Sequence, residues 1–156
     1  MSDMHSSAEK AAALSVEHFA DGFNCAEAVL LGVTEALGYS GEALPMVATG
    51  FGAGIARHGE ICGAVTGAVM AIGLFQGRRR PEDQGSRDRT YATVDTVLNG
   101  FCELHGALSC RELIGCDLRT EEGRKRAAEL RTHQDLCPKF VAAAAALAAE
   151  AIAPEG

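Results

Sequence analysis

Apolar residues recur along most of the chain at intervals of three and four, and no segment alternates as a half-buried strand would. Ala12, Val16 and Phe19 form one such stripe, predicting a first helix that ends near Asp21 and Gly22. Asn24 is placed as an N-cap for a second helix with Val29, Leu30, Val33 and Leu37 on its inner face, stopped by Gly38. Pro45 opens a third segment that runs into the glycine-rich stretch TGFGAGIARHGE, and a fourth helix is predicted from about Glu60 to Phe75. The stretch QGRRRPEDQGS, at 76–87, is polar and broken by Gly and Pro, so it reads as a surface loop.

The next helix, from about Asp88 to Leu104, has Tyr91, Val94, Leu98 and Phe101 as its apolar positions. SCRE at Ser109 to Glu112 fits a capping box for a short helix that Gly115 ends, and Thr120 before Glu121 and Glu122 starts another. Asp135 and Pro138 open an alanine-rich helix to about Ala151. Residues 1–8 are expected to fray. The pattern predicts an all-α, single-domain bundle of about six to eight helices spanning 1–156.

Composition agrees with closely packed helices. The chain is 47% hydrophobic but only 5% aromatic and has no Trp, whereas a β-sandwich would draw on more Val, Ile, Thr and aromatics. A formal charge of −7 argues against nucleic acid or an anionic membrane as partner, and Arg78, Arg79 and Arg80 are too short a run to reverse that. The N-terminal stretch has no uninterrupted apolar core, so no secretory signal is read there, and Ile61 to Gln76 is too short to span a bilayer. The expected setting is soluble and cytoplasmic, where six cysteines serve as thiols, redox groups or metal ligands before they serve as a disulfide framework.

Four of the six fall at predicted helix starts. Cys25 follows the Asn24 cap, Cys110 follows the Ser109 cap, Cys62 lies in a first turn after the glycine-rich loop, and Cys137 precedes Pro138. Unpaired amides and the positive end of the helix dipole favour a thiolate there, and a thiolate binds soft metals or attacks disulfides. The same amides would tune a metal-bound sulfur. Cys102, four residues after Leu98, is read as a small core hydrophobe, and Cys116, beyond Gly115, as a spare ligand or resolving thiol at most. The alternative for all four is simple packing, since cysteine is among the most buried residue types.

No C-x-x-C exists, which removes support for a thioredoxin-type dithiol or a zinc ribbon, and no C-x-x-C-H exists for covalent haem. Glycines crowd around Cys62, with Gly63 and Gly67 on one helical face. Their cost of roughly 0.5–1 kcal/mol each against alanine implies close approach by a backbone or a cofactor. Gly63 is therefore a candidate cofactor contact. Arg57 and His58 beside the loop, and His133 later, are readable as a thiolate-stabilising charge and nitrogen ligands, or as ordinary surface residues.

The ordered set NCAEAV, GEICGAVTGAVMAIGL and CRELIG, with a late cysteine opening an alanine-rich helix, resembles the redox-active family labelled C_GCAxxG_C_C over about Ala12 to Ala149. The family motif corresponds to Cys62-Gly63-Ala64-Val65-Thr66-Gly67, and its four cysteines to Cys25, Cys62, Cys110 and Cys137. The family is similar to part of split-Soret cytochrome, for which a cysteine-bound iron–sulfur cluster has been proposed. The resemblance implies an electron-transfer protein or oxidoreductase whose four cysteines ligate one iron–sulfur cluster, of the 2Fe–2S type, and exchange electrons with a redox partner protein. Two other readings stay open: a metal-free thiol–disulfide protein with Cys62 as the reactive, catalytic thiol, and a module in which the thiols bind zinc or only pack. Oligomeric state is open, a homodimer included.

Overall fold

The computed structural model describes residues 2–152, with side chains from Ser7 onward. Among these residues are eight helices of five or more residues and no strand, as the periodicity predicts. They are α1 (Ser2–Ala20), α2 (Cys25–Ala36), α3 (Leu44–Ala48), α4 (Gly63–Gln76), α5 (Gln84–His105), α6 (Cys110–Ile114), α7 (Glu121–Glu129) and α8 (Cys137–Ile152). Three single turns, Thr49–Phe51, Gly52–Ile55 and Thr132–Asp135, join them.

Side-chain caps encoded in the sequence start four of the eight helices. Asn24 Oδ1 accepts from the Glu27 amide at 2.9 Å while Glu27 Oε1 accepts from the Asn24 amide at 2.8 Å, a complete capping box for α2. Both partners also reach the chain at Thr49: Asn24 Nδ2 donates to its carbonyl and the Thr49 hydroxyl donates to Glu27 Oε2. Asn24→Ala should therefore destabilise the fold by about 1 kcal/mol or somewhat more, read as a lowered midpoint in urea.

Three boundaries and one assignment to the core differ from the sequence expectation. Residues 2–8, expected to fray, continue α1 down to Ser2, because no Gly or Pro interrupts 2–20 and propagation adds a hydrogen bond for each residue fixed; Met1 lies outside the described residues. The loop expected at 76–87 covers only 77–83, because Asp83 caps the Ser86 amide at 3.0 Å and starts α5 early. α4 starts at Gly63 instead of Glu60, since Ile61 pairs with Ser109 as an isolated antiparallel bridge. Cys102 and Tyr91 do not belong to the core: Cys102 is exposed and Tyr91 is 66% exposed. The buried stripe of α5 is centred on Val97 and Phe101, and Cys102 stands about 140° around the helix from Val97.

α8 is central and packs on α1, α2, α4 and α5. Small residues permit that density: Ala144, Ala145, Ala148 and Ala149 are fully buried, as are Ala26, Ala28, Ala64, Ala68 and Ala71. α1 and α2 approach so closely that any Cβ on Gly32 would overlap Ser15. Likewise a Cβ on Gly67 would lie 2.6 Å from the Ala26 carbonyl oxygen, which brings α4 against the first turn of α2. The starts of α2 and α4 thus lie side by side, each carrying a cysteine.

Candidate functional site

Cys25, Cys62, Cys110 and Cys137, from four separate segments, line one cavity of about 370 Å³. Cys25 is the hub, since negative charge on its sulfur would act on each of the other three. Gly63 sits against it, and a Cβ there would fall within the Cys25 sulfur.

Three local devices set the arrangement. The first is the α2–α4 contact just described. The second is the bridge between Ile61 and Ser109, in which the Cys62 amide donates to Leu108 O at 2.8 Å and the Cys110 amide to Glu60 O at 2.7 Å. Each of these cysteines is the next residue after a bridge residue, so the pairing carries both thiols to the same wall. The third is a left-handed stretch at Ala53 to Arg57, where Ala53, Gly54, Ile55, Ala56 and Arg57 all have positive φ. Non-glycine residues there cost on the order of 1–2 kcal/mol each, a strain that persists only where surrounding contacts impose it. Here they do: Glu60 N donates to Gly54 O at 2.9 Å and Ala56 N to Gly50 O at 3.0 Å. Gly54 is required at its place, with φ +67° and room for a Cβ only 2.8 Å from that of Cys110.

Backbone N–H groups of Ala53, Ala26, Cys25 and Gly63 act on the Cys25 sulfur, and those of Ala64 and Val65 on Cys62. These are the helix-start amides the sequence anticipates. Their effect on ionisation is nevertheless outweighed. Burial raises the Cys25 and Cys62 pKa values above the ordinary thiol value and pushes Cys110 up to about 11 and Cys137 up to about 12, with repulsion from neighbouring thiols adding to it at Cys62, Cys110 and Cys137. In the protein without a bound cation, burial therefore works against the thiolates that the helix-start amides favour.

The sign of the resulting pH dependence follows. A thiol that holds its proton more tightly when folded contributes stability fully present below its unfolded value and lost as pH rises through the folded one. Protein freed of metal with a chelator should lose stability from about pH 9 toward pH 11 and 12, measured as a falling urea midpoint. A midpoint flat across that range would contradict the burial of these thiols.

The remaining sequence candidates separate clearly. Cys116 is buried, its Sγ donating to Ile114 O at 3.6 Å, and does not line the cavity, although it lies close enough to raise the Cys110 pKa. Arg57 and His58 are exposed outside the cavity, and the His58 carbonyl accepts from Arg111 Nη2. His133 does line it, with its ring stacked on Phe19 at 4.4 Å between centroids. Sequence reasoning misses Arg124, which lines the mouth from α7, and the apolar wall of Leu113, Ile114 and Leu118. Nothing in their spacing signals a role, since only the docking of α7 beside the thiols creates it.

Among the described residues, no helix is long and apolar enough to cross a membrane, and no group of three or more His, Cys, Asp or Glu stands where it could hold a single metal ion. The model of the family described as "Putative redox-active protein (C_GCAxxG_C_C)" matches residues 23–151. An uncharacterized protein of Archaeoglobus fulgidus is 34% identical over 132 residues, covering 79% of this chain and 87% of that protein. No solved structure matches significantly.

Proposed function

Because the chain belongs to the C_GCAxxG_C_C family of redox-active proteins, we propose that Cys25, Cys62, Cys110 and Cys137 hold one iron–sulfur cluster of the 2Fe–2S type and that the protein transfers electrons. The observation that carries this reading is the convergence of four thiols from four segments on one cavity, with six backbone amides directed at two of the sulfurs.

The donor set fits such a group. Four thiolates are its usual ligands, amide N–H groups near the sulfurs raise its potential, and a water-poor wall shields it. The cluster, when bound, supplies a one-electron store. Everything else is done by the chain: the α2–α4 contact and the Ile61–Ser109 bridge hold the sulfurs in place, and the amides neutralise part of their charge. Burial keeps the thiols neutral until a cation replaces their protons, so loading should release protons.

Metal-free thiol–disulfide chemistry at Cys62 is less well supported, since a reactive thiol needs an accessible thiolate and Cys62 is 6% exposed with a raised pKa. A single zinc would also accept four thiolates, and metal analysis separates it from iron. The reading assigns the protein to a reducing compartment such as the cytoplasm and gives it a partner redox protein.

Anaerobic purification with a visible spectrum and analysis for iron, sulfide and zinc tests it. Iron and acid-labile sulfide in equal amounts, with a coloured protein that bleaches on reduction, is the expected result. A colourless, metal-free protein with every thiol titratable would sink the cluster.

A further inference from the structure

The cavity has a second wall that the four thiols do not use. α7 and the turn after it supply Arg124, Ala127, Ala128, His133 and Gln134, and Leu113, Ile114, Leu118 and Phe140 line the same cavity. We propose that this outer part of the cavity binds a small, mostly apolar organic carboxylate, with its carboxylate on the Arg124 guanidinium and its body against the apolar wall. The site stands on the cavity itself and does not depend on what the thiols hold.

Charge points to an anion. No Asp or Glu lines the cavity, so Arg124 meets no carboxylate there. Nor is it in an ion pair elsewhere: the ion pairs among the described residues join Arg87 to Asp88, Arg119 to Asp117, Arg131 to Asp135 and His18 to Glu35. Arg124 is also positioned. Its Nη1 donates to Leu118 O at 2.9 Å, and the Thr120 hydroxyl caps the Gly123 amide at 2.8 Å, fixing the turn from which Arg124 projects. One donor is used for this anchor, and several N–H groups of the planar fork remain to take a carboxylate in two parallel bonds.

The surroundings select the rest of the ligand. Leu113, Ile114, Leu118 and Phe140 offer no donors, so the body of the ligand must be apolar. A phosphate would desolvate against that apolar wall at high cost. The whole cavity, thiol side included, is about 370 Å³, at the small end of ligand sites, which run from about 300 to 1,000 Å³, so a ligand on the Arg124 side must be small.

The test is titration calorimetry on the full chain with benzoate as the probe, benzamide as its neutral counterpart and inorganic phosphate as the competing anion. Benzoate should bind and be preferred over benzamide, and phosphate should bind more weakly. Arg124→Gln should weaken benzoate about tenfold or more and abolish the preference, consistent with the loss of a charged hydrogen bond. Ala128→Phe, a change at an exposed position of the mouth, should block benzoate without altering the fold. No benzoate binding, equal binding by Arg124→Gln, or stronger binding of phosphate would overturn the proposal. Each titration is run on protein with and without iron. Benzoate binding to a protein that never takes up iron would remove the cluster and keep this site, whereas a loaded protein indifferent to benzoate would do the reverse.

Discussion

Serine in place of Cys25 is expected to abolish iron binding and the visible spectrum, while serine in place of Cys102 leaves both intact. Cys25 is the thiol whose charge reaches all three others, and it receives amides from two helix starts and from the strained loop at Ala53. A hydroxyl has nearly the same shape as the thiol but binds iron weakly, so the loss should exceed the ~10–100-fold that removing even an outer partner of a metal ligand costs. Cys102 is exposed on α5, away from the cavity, and its replacement touches nothing. Iron and sulfide per chain, measured beside the thermal midpoint, separate a lost ligand from a lost fold. If Cys102→Ser removed the cofactor and Cys25→Ser did not, the assignment of the four ligands would be wrong.

Gly63→Ala is the second large effect. A methyl group at that position would occupy the place of the Cys25 sulfur, and also lie 3.1 Å from the Phe51 carbonyl oxygen and 3.2 Å from the Ala26 amide nitrogen. Backbone on two sides leaves the sulfur as the group that must move, so the cluster should be lost and stability should fall by roughly 1–3 kcal/mol, as for other overpacked cores. Gly73→Ala, on the same helix, is the control with the opposite sign. Nothing lies within 4 Å of a Cβ there, so removal of glycine's freedom in the unfolded chain should stabilise by about 0.4–1 kcal/mol. Urea midpoints for the two variants should move in opposite directions from the parent. A stabilised Gly63→Ala that still binds iron would show that α2 and α4 do not meet as closely as described.

The caps were legible because they are local chemistry. Asn24 with Glu27 forms a complete capping box, and Ser109 and Thr120 each accept from the amide three residues on, at Glu112 and Gly123. The Asp83 cap is just as local, but the polar run in which it sits reads as continuous loop. Cys102 and Tyr91 were misplaced for a different reason. Both sit at the margin of a stripe whose centre is set by which side of α5 meets α4 and α8, and periodicity alone does not fix that centre.

The sequence by itself determined a helical fold, the capped helix starts at Asn24, Ser109 and Thr120, and the placing of four thiols at or beside helix starts, because capping and helical periodicity depend on residues within one or two turns. Only the tertiary structure decided that those four starts face one cavity, that Cys116 and Cys102 stay apart from it, and that Arg124 stands at its mouth. It also decided the ionisation of the thiols: burial by distant segments raises their pKa values, whereas the local amides alone would have lowered them. Desolvation is set by everything that surrounds a group, and no stretch of neighbouring residues carries that information.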